Sequence, residues 1–192
     1  MNVLVIDTET GTLDAGTGAL LDVAAVELRD GEIGRTFRRR IIPAARLDIE
    51  TEATDCNGYA TDLWAELGAV AEANAIADFL GFLDEVRGPS RDSAKLIWAG
   101  HNTQFDRRFV AAALVRVTGV SGLSALFSHR DVDLMHLATI PHSRGIVPGR
   151  SLDDLRSTLL RSVPGIHDAL TDATDTARLL ALFERRIQWV DE

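Results

Sequence analysis

The chain has 192 residues, of which 46% are hydrophobic and 26% charged, and a formal net charge of −9. That length suits one domain, taken here as residues 1–192, and the composition excludes disordered, collagen-like and fibrous classes. The acidic balance excludes a protein that holds nucleic acid through a general basic surface, though not an enzyme that engages it briefly.

No apolar run approaches the roughly 20 residues of a membrane helix, and the N-terminal run Val3 to Ile6 is stopped by Asp7, so no signal peptide, span or membrane partner is expected. The single cysteine, Cys56, closes no internal disulfide and has no Cys or His neighbour at metal-ligand spacing. A reducing, cytoplasmic setting is expected.

Residues 2 to 6 form a short β-branched run ending in Asp7, a buried strand with chemistry at its C-terminal end. A second run, Ala19 to Leu28, leads into Asp30-Gly31, a hairpin turn signal, and Ile33 to Ile42 returns. Pro43 ends that strand, and residues 44 to 63 read as a loop with short helical turns. From Trp64 to Val86 apolar residues recur at helical spacing, predicting one long amphipathic helix closed by Gly88-Pro89. A strand over Leu96 to Ala99, a helix from Thr103 to Thr118 capped by Gly119, and a strand over residues 131 to 138 follow. Two more helices are expected, from Leu152 to Leu160 and from Asp168 to Arg186. Strands alternating with helices predict an α/β sheet with helices on its faces.

Three clusters of polar residues fall at the ends of these elements. In Asp7-Thr8-Glu9 the two acids lie two apart on a strand and so share a face, a placement that suits a hard divalent cation. Taken alone, such a pair is most simply a polar strand end turning into the Gly11 loop. In His101-Asn102-Thr103-Gln104-Phe105-Asp106, Asp106 sits in the first turn of a helix, where the dipole favours negative charge, and also near a strand end, where ligands gather in open α/β sheets. In the third cluster His167 precedes a helix that carries Asp168, Asp172 and Asp175 on one face, and an imidazole so placed could act as a base.

The order of these clusters is informative. Asp-x-Glu near the start, Asn-x-x-Phe-Asp in the middle and His-x-x-x-x-Asp near the end resemble the three motifs of the DEDDh family of 3′-to-5′ exonucleases. The segment Gly18 to Val26 resembles that family's second strand, and Asn57-Gly58-Tyr59 its loop before the first long helix. The resemblance implies an RNase H-like fold with a mixed central sheet whose first three strands are antiparallel, flanked by helices. It implies that Asp7, Glu9, Asp106 and Asp172 hold two Mg²⁺ or Mn²⁺ ions and that His167 is the general base. It also implies substrate contacts from Thr10, Gly11, Leu13, Asn102 and Phe105. The expected reaction is release of nucleoside 5′-monophosphates from single-stranded DNA, with RNA as the alternative substrate. A polymerase and a second copy of the chain are the partners the resemblance suggests.

Other readings are weaker. The segment Asp7 to Leu13 is superficially like the Asp-x-Asp-Gly-Thr motif of haloacid dehalogenase phosphatases, but its second acid is Glu and its Gly-Thr is displaced by one residue. A non-catalytic binding module is disfavoured because all five catalytic positions carry the expected residue types. Asp168 and Asp175 lie off the family spacing, and His101, His129, His136 and His142 read as surface or packing residues. The run Arg38-Arg39-Arg40 reads as a solvated strand edge, its members alternating in face.

Overall fold

Strand β1 (Asn2–Thr10) alternates in its loyalties, and that alternation builds the molecule. Leu4 and Ile6 join one apolar cluster with Phe79, Phe109 and Trp98, whereas Val3 and Val5 join another with Leu134, Ala173 and Leu180. A strand whose side chains serve two cores must be covered on both faces. This structure, a computed structural model, describes residues 1–88, 95–162 and 167–186 and shows that arrangement, a six-stranded sheet between two layers of helices.

The sheet order is β4-β3-β2-β1-β5-β6. Strands β2 (Leu20–Arg29) and β3 (Glu32–Ile42) complete an antiparallel meander with β1, as expected. Its turn has positive φ at both Asp30 (51°) and Gly31 (81°), the conformation an Asp-Gly hairpin favours. Strands β5 (Leu96–Gly100) and β6 (Phe127–Asp133) add in parallel beside β1, and the two-residue β4 (Val70–Ala71) pairs in parallel with β3.

Helices α1 (Thr51–Asn57), α2 (Thr61–Glu66), α3 (Glu72–Arg87) and α4 (Thr103–Thr118) follow in chain order, with α3 and α4 packing over the Leu4–Ile6 face. After α5 (Leu123–Leu126) and β6 come α6 (Leu134–Leu137), α7 (Thr139–Ser143), α8 (Leu152–Leu155) and α9 (Ala169–Arg186), and α9 covers the Val3–Val5 face.

Three expectations need correction. The single helix predicted from Trp64 to Val86 is two, α2 and α3. Gly68 takes φ 77°, Trp64 is anchored by its indole N–H to Leu21 O (3.0 Å), and Val70 is drawn into the sheet against Ile41. The strand predicted over residues 131 to 138 begins earlier, at Phe127, and stops at Asp133, whose carboxylate accepts from Met135 N (2.9 Å) and so starts α6. The helix predicted from Leu152 to Leu160 is α-helical only to Leu155, and Arg156–Leu160 continue it as a π-helical turn. Pro89 and the Pro164-Gly165 loop lie outside the described residues.

Candidate active site

The strand parity of β1 sorts its polar end as it sorts its apolar body. Asp7 and Glu9 continue the Val3–Val5 face and meet α9; Thr8 continues the Leu4–Ile6 face and meets α4. Asp7, Glu9 and Asp172 consequently each bring a carboxylate oxygen to within 4.8 Å of the others. Asp106, buried in the first turn of α4, accepts from Thr8 Oγ1 at 2.8 Å.

Carboxylates gathered this closely resist ionisation. Burial, then the charges of Asp106, Asp172 and Glu9, raise Asp7 well above the usual carboxylate range. Burial and Asp172 push Glu9 to about 8, and burial pushes Asp106 to about 7 against the opposing hydrogen bond from Thr8. Such a cluster fits divalent cations, because oxygen ligands in excess of nearby positive charge are what hard ions bind and what they neutralise.

His167 stands beside this group. Its Nδ1 lies 3.0 Å from Asp172 Oδ2, and its backbone N–H donates to Cys56 O at 3.1 Å. The bond to Asp172 is the main reason its imidazolium is held above the ordinary histidine value.

The four acids and His167 line a cleft of about 700 Å³, together with Thr10, Thr12, Leu13, Cys56, Asn57 and Phe105. Leu13 stands 80% exposed at its mouth. Gly11 and Asn102 act through backbone instead of lining the cleft. A Cβ at Gly11 would meet Asp48 O at 2.5 Å, and Asn102 starts α4 from a left-handed φ of 65° while its N–H donates to Asp133 Oδ1 at 3.1 Å. Phe105 packs on Phe109 at 5.0 Å beneath the cleft wall. The described lining includes seven carboxylates and two histidines but no Lys or Arg.

His101 keeps a packing contact, Nε2 to Arg150 O at 2.8 Å, yet also forms part of the cleft wall. Asp175 pairs with Arg178 at 3.1 Å and is not one of the trio. Asp168 accepts from Thr171 N at 3.0 Å at the start of α9 and pairs with Arg38.

The arginine run is not a solvated edge. Arg38 bonds the buried Asp22 through Nε (2.9 Å) and Nη2 (2.6 Å), and Arg40 lies over the Trp64 ring at 5.4 Å; only Arg39, paired with Asp78, is on an exposed surface. Sequence reasoning also missed Thr8 and Asn57, whose Nδ2 donates to Thr10 O at 3.1 Å. It missed Arg156 as well, which is buried and donates from Nη2 to Asp172 Oδ1 at 2.6 Å. Parity along β1 could have found Thr8. Nothing in the sequence singles out Arg156.

Residues 4–180 match the Exonuclease family of RNase T type. The chain belongs to this family. Ribonuclease T of Vibrio parahaemolyticus serotype O3:K6 is 34% identical to this exonuclease domain over 115 residues, 57% of the chain and 53% of that protein. The PolC-type DNA polymerase III of Latilactobacillus sakei subsp. sakei is 28% identical over 190 residues, 95% of this chain and 11% of the polymerase. E. coli exonuclease I, in its zinc-bound complex with single-stranded DNA, superposes with a TM-score of 0.80 at 18% identity over 96% of this chain and 41% of its own. The RNase H-like fold expected from the motifs is thus the fold found. The chain spans about half the length of that ribonuclease T and about two fifths of exonuclease I. No helix among the described residues is long and apolar enough to cross a membrane.

Proposed function

We propose that residues 1–192 form one metal-dependent 3′-to-5′ exonuclease domain that hydrolyses single-stranded DNA to nucleoside 5′-monophosphates. The observation that carries this reading is the convergence of Asp7, Glu9 and Asp172 within 4.8 Å, with His167 Nδ1 at Oδ2 of Asp172. Asp7, Glu9, Asp106 and Asp172 would hold two Mg²⁺ or Mn²⁺ ions. Divalent cations held there would supply Lewis acidity, lowering the pKa of water and neutralising negative charge on phosphoryl oxygens.

The remaining work falls to side chains. The neutral tautomer that donates Nδ1–H to Asp172 leaves Nε2 of His167 as the acceptor that would take the proton from water. Thr8 fixes Asp106, and Asn57 fixes the backbone of Thr10. Leu13, Thr10 and Phe105 would meet the terminal nucleotide, with Gly11 and Asn102 shaping the backbone beneath it.

The likeness to an exonuclease I bound to a dT13 oligonucleotide supports single-stranded DNA. The identity with ribonuclease T supports RNA as a second reading, and the likeness to one stretch, 11%, of a PolC-type polymerase supports action beside a polymerase. The exposed free thiol of Cys56 suits a reducing cytoplasm.

Oligonucleotides of DNA and of RNA, labelled at the 5′ or the 3′ end, test the reading in Mn²⁺, with EDTA and Asp172→Ala as controls. A descending ladder from the 5′ label and immediate mononucleotide from the 3′ label are expected, with both controls silent. Internal cleavage, or activity in EDTA, would overturn it.

A further inference from the structure

Arg156 is a buried cation with no place in the reading above. It opens the π-helical turn Arg156–Leu160, and such turns gather at functional sites because the extra residue re-aims the side chains around it. Its Nη2 bonds Asp172 Oδ1 at 2.6 Å, and its Nε has no hydrogen-bond partner among the described residues. Two further acids stand at longer range, Asp153 at 3.5 Å and Asp175 at 3.8 Å. Neither accounts for the arginine: Asp153 is 42% exposed and Asp175 has a closer partner in Arg178 at 3.1 Å.

Asp172 is thereby divided. Arg156 holds Oδ1, and His167 meets Oδ2. A carboxylate that accepts from a buried guanidinium at one oxygen is oriented by it, and a cation then meets the other oxygen, Oδ2, which His167 also contacts.

We infer that Arg156 is a positioning residue that clamps Asp172 through Oδ1 and restricts it to a single-oxygen contact with a divalent cation through Oδ2. The inference rests on Asp172 being a cation ligand. Its cost is electrostatic, because a fixed positive charge beside the site repels the incoming ion. The clamp therefore exchanges affinity for geometry, and that exchange distinguishes it from a structural prop: removing a prop weakens binding and turnover together, whereas removing the clamp moves them in opposite directions.

The test compares the wild type with Arg156→Met and Arg156→Lys. Mn²⁺ affinity is read from the thermal shift on titration without substrate, and kcat and KM from single-stranded DNA at saturating Mn²⁺. Arg156→Met is expected to bind Mn²⁺ at least threefold more tightly while kcat falls at least tenfold and KM stays within threefold. Arg156→Lys, which keeps the charge but not the planar fork, is expected to bind Mn²⁺ as the wild type does, with kcat between the other two. Unchanged kcat in Arg156→Met, or Mn²⁺ affinity falling in step with kcat, overturns the inference. Should Arg156→Met fail to fold, Arg156→Lys decides: kcat lowered at least threefold with wild-type Mn²⁺ affinity supports the clamp, and unchanged kcat overturns it. A wild type with no Mn²⁺ response overturns the metal reading of Asp172 itself, and the clamp falls with it; a wild type that responds like both variants overturns only the clamp.

Discussion

Thr8 and Asp106, ninety-eight residues apart in sequence, are joined by a buried hydrogen bond of 2.8 Å from Oγ1 to Oδ1. This bond couples the strand that carries Asp7 and Glu9 to the helix that carries the third acid, and it opposes the effect of burial on Asp106. Thr8→Val keeps the shape and removes the donor. Asp106 should then rise above about 7, so that more of it is protonated at neutral pH. Turnover is expected to fall about tenfold at pH 7. The loss should be larger at pH 6 and smaller at pH 8.5, as a kcat/KM profile against pH would show.

Metal-free protein should lose stability as pH rises. Glu9 is lifted from 4.5 to about 8 and Asp106 from 3.8 to about 7, so the folded state holds protons that the unfolded state has released across that window. Stability from a raised acid is fully present below the unfolded pKa and is lost as pH climbs to and through the folded one. His167, also raised, works in the same direction. Divalent cations replace the missing protons, so the rise in Tm on adding Mn²⁺ should grow between pH 5.5 and pH 8. A pH-independent increment would contradict the cluster's role as a cation site.

Asp7→Asn and Asp172→Asn should both abolish turnover, yet differ in metal-free stability. Asp7 is surrounded by like charges, and its neutralisation should leave Tm unchanged or higher. Asp172 is the close partner of buried Arg156, and weakening that pair should cost about 3 kcal/mol. Urea denaturation of the two variants in EDTA measures the contrast.

His167→Ala should lower kcat by roughly 10²–10⁴-fold, the usual worth of a positioned acid or base. The side chain is half exposed, so its removal should leave Tm nearly unchanged. If kcat keeps the wild-type pH profile, the proton passes to another group.

Much of this was legible in the sequence because it is periodic. The two-residue alternation of β1, the Asp-Gly turn and the apolar spacing of α4 and α9 are local patterns, and helix α4 occupies the predicted residues Thr103–Thr118. The three acidic clusters could be placed because each sits beside such an element. What stayed hidden depends on distant partners. The break between α2 and α3 requires Trp64 to reach Leu21, and the roles of Arg38 and Arg156 require buried acids that only the fold supplies. On an ordinary α-helix Arg156 reads as one more surface charge; the π-helical turn removes that inference.

The parity of β1 fixes more than the site's geometry. One added or deleted residue between Val3 and Asp7 would swap the faces beyond it, sending both acids toward α4 and Thr8 toward α9 while exposing the wrong apolar set to each core. Catalysis and folding therefore share a single reading frame in this strand, and neither can drift without the other. The register already shifts between Glu9 and Thr10, just past the second acid, and that is where length variation could enter the strand without breaking the frame.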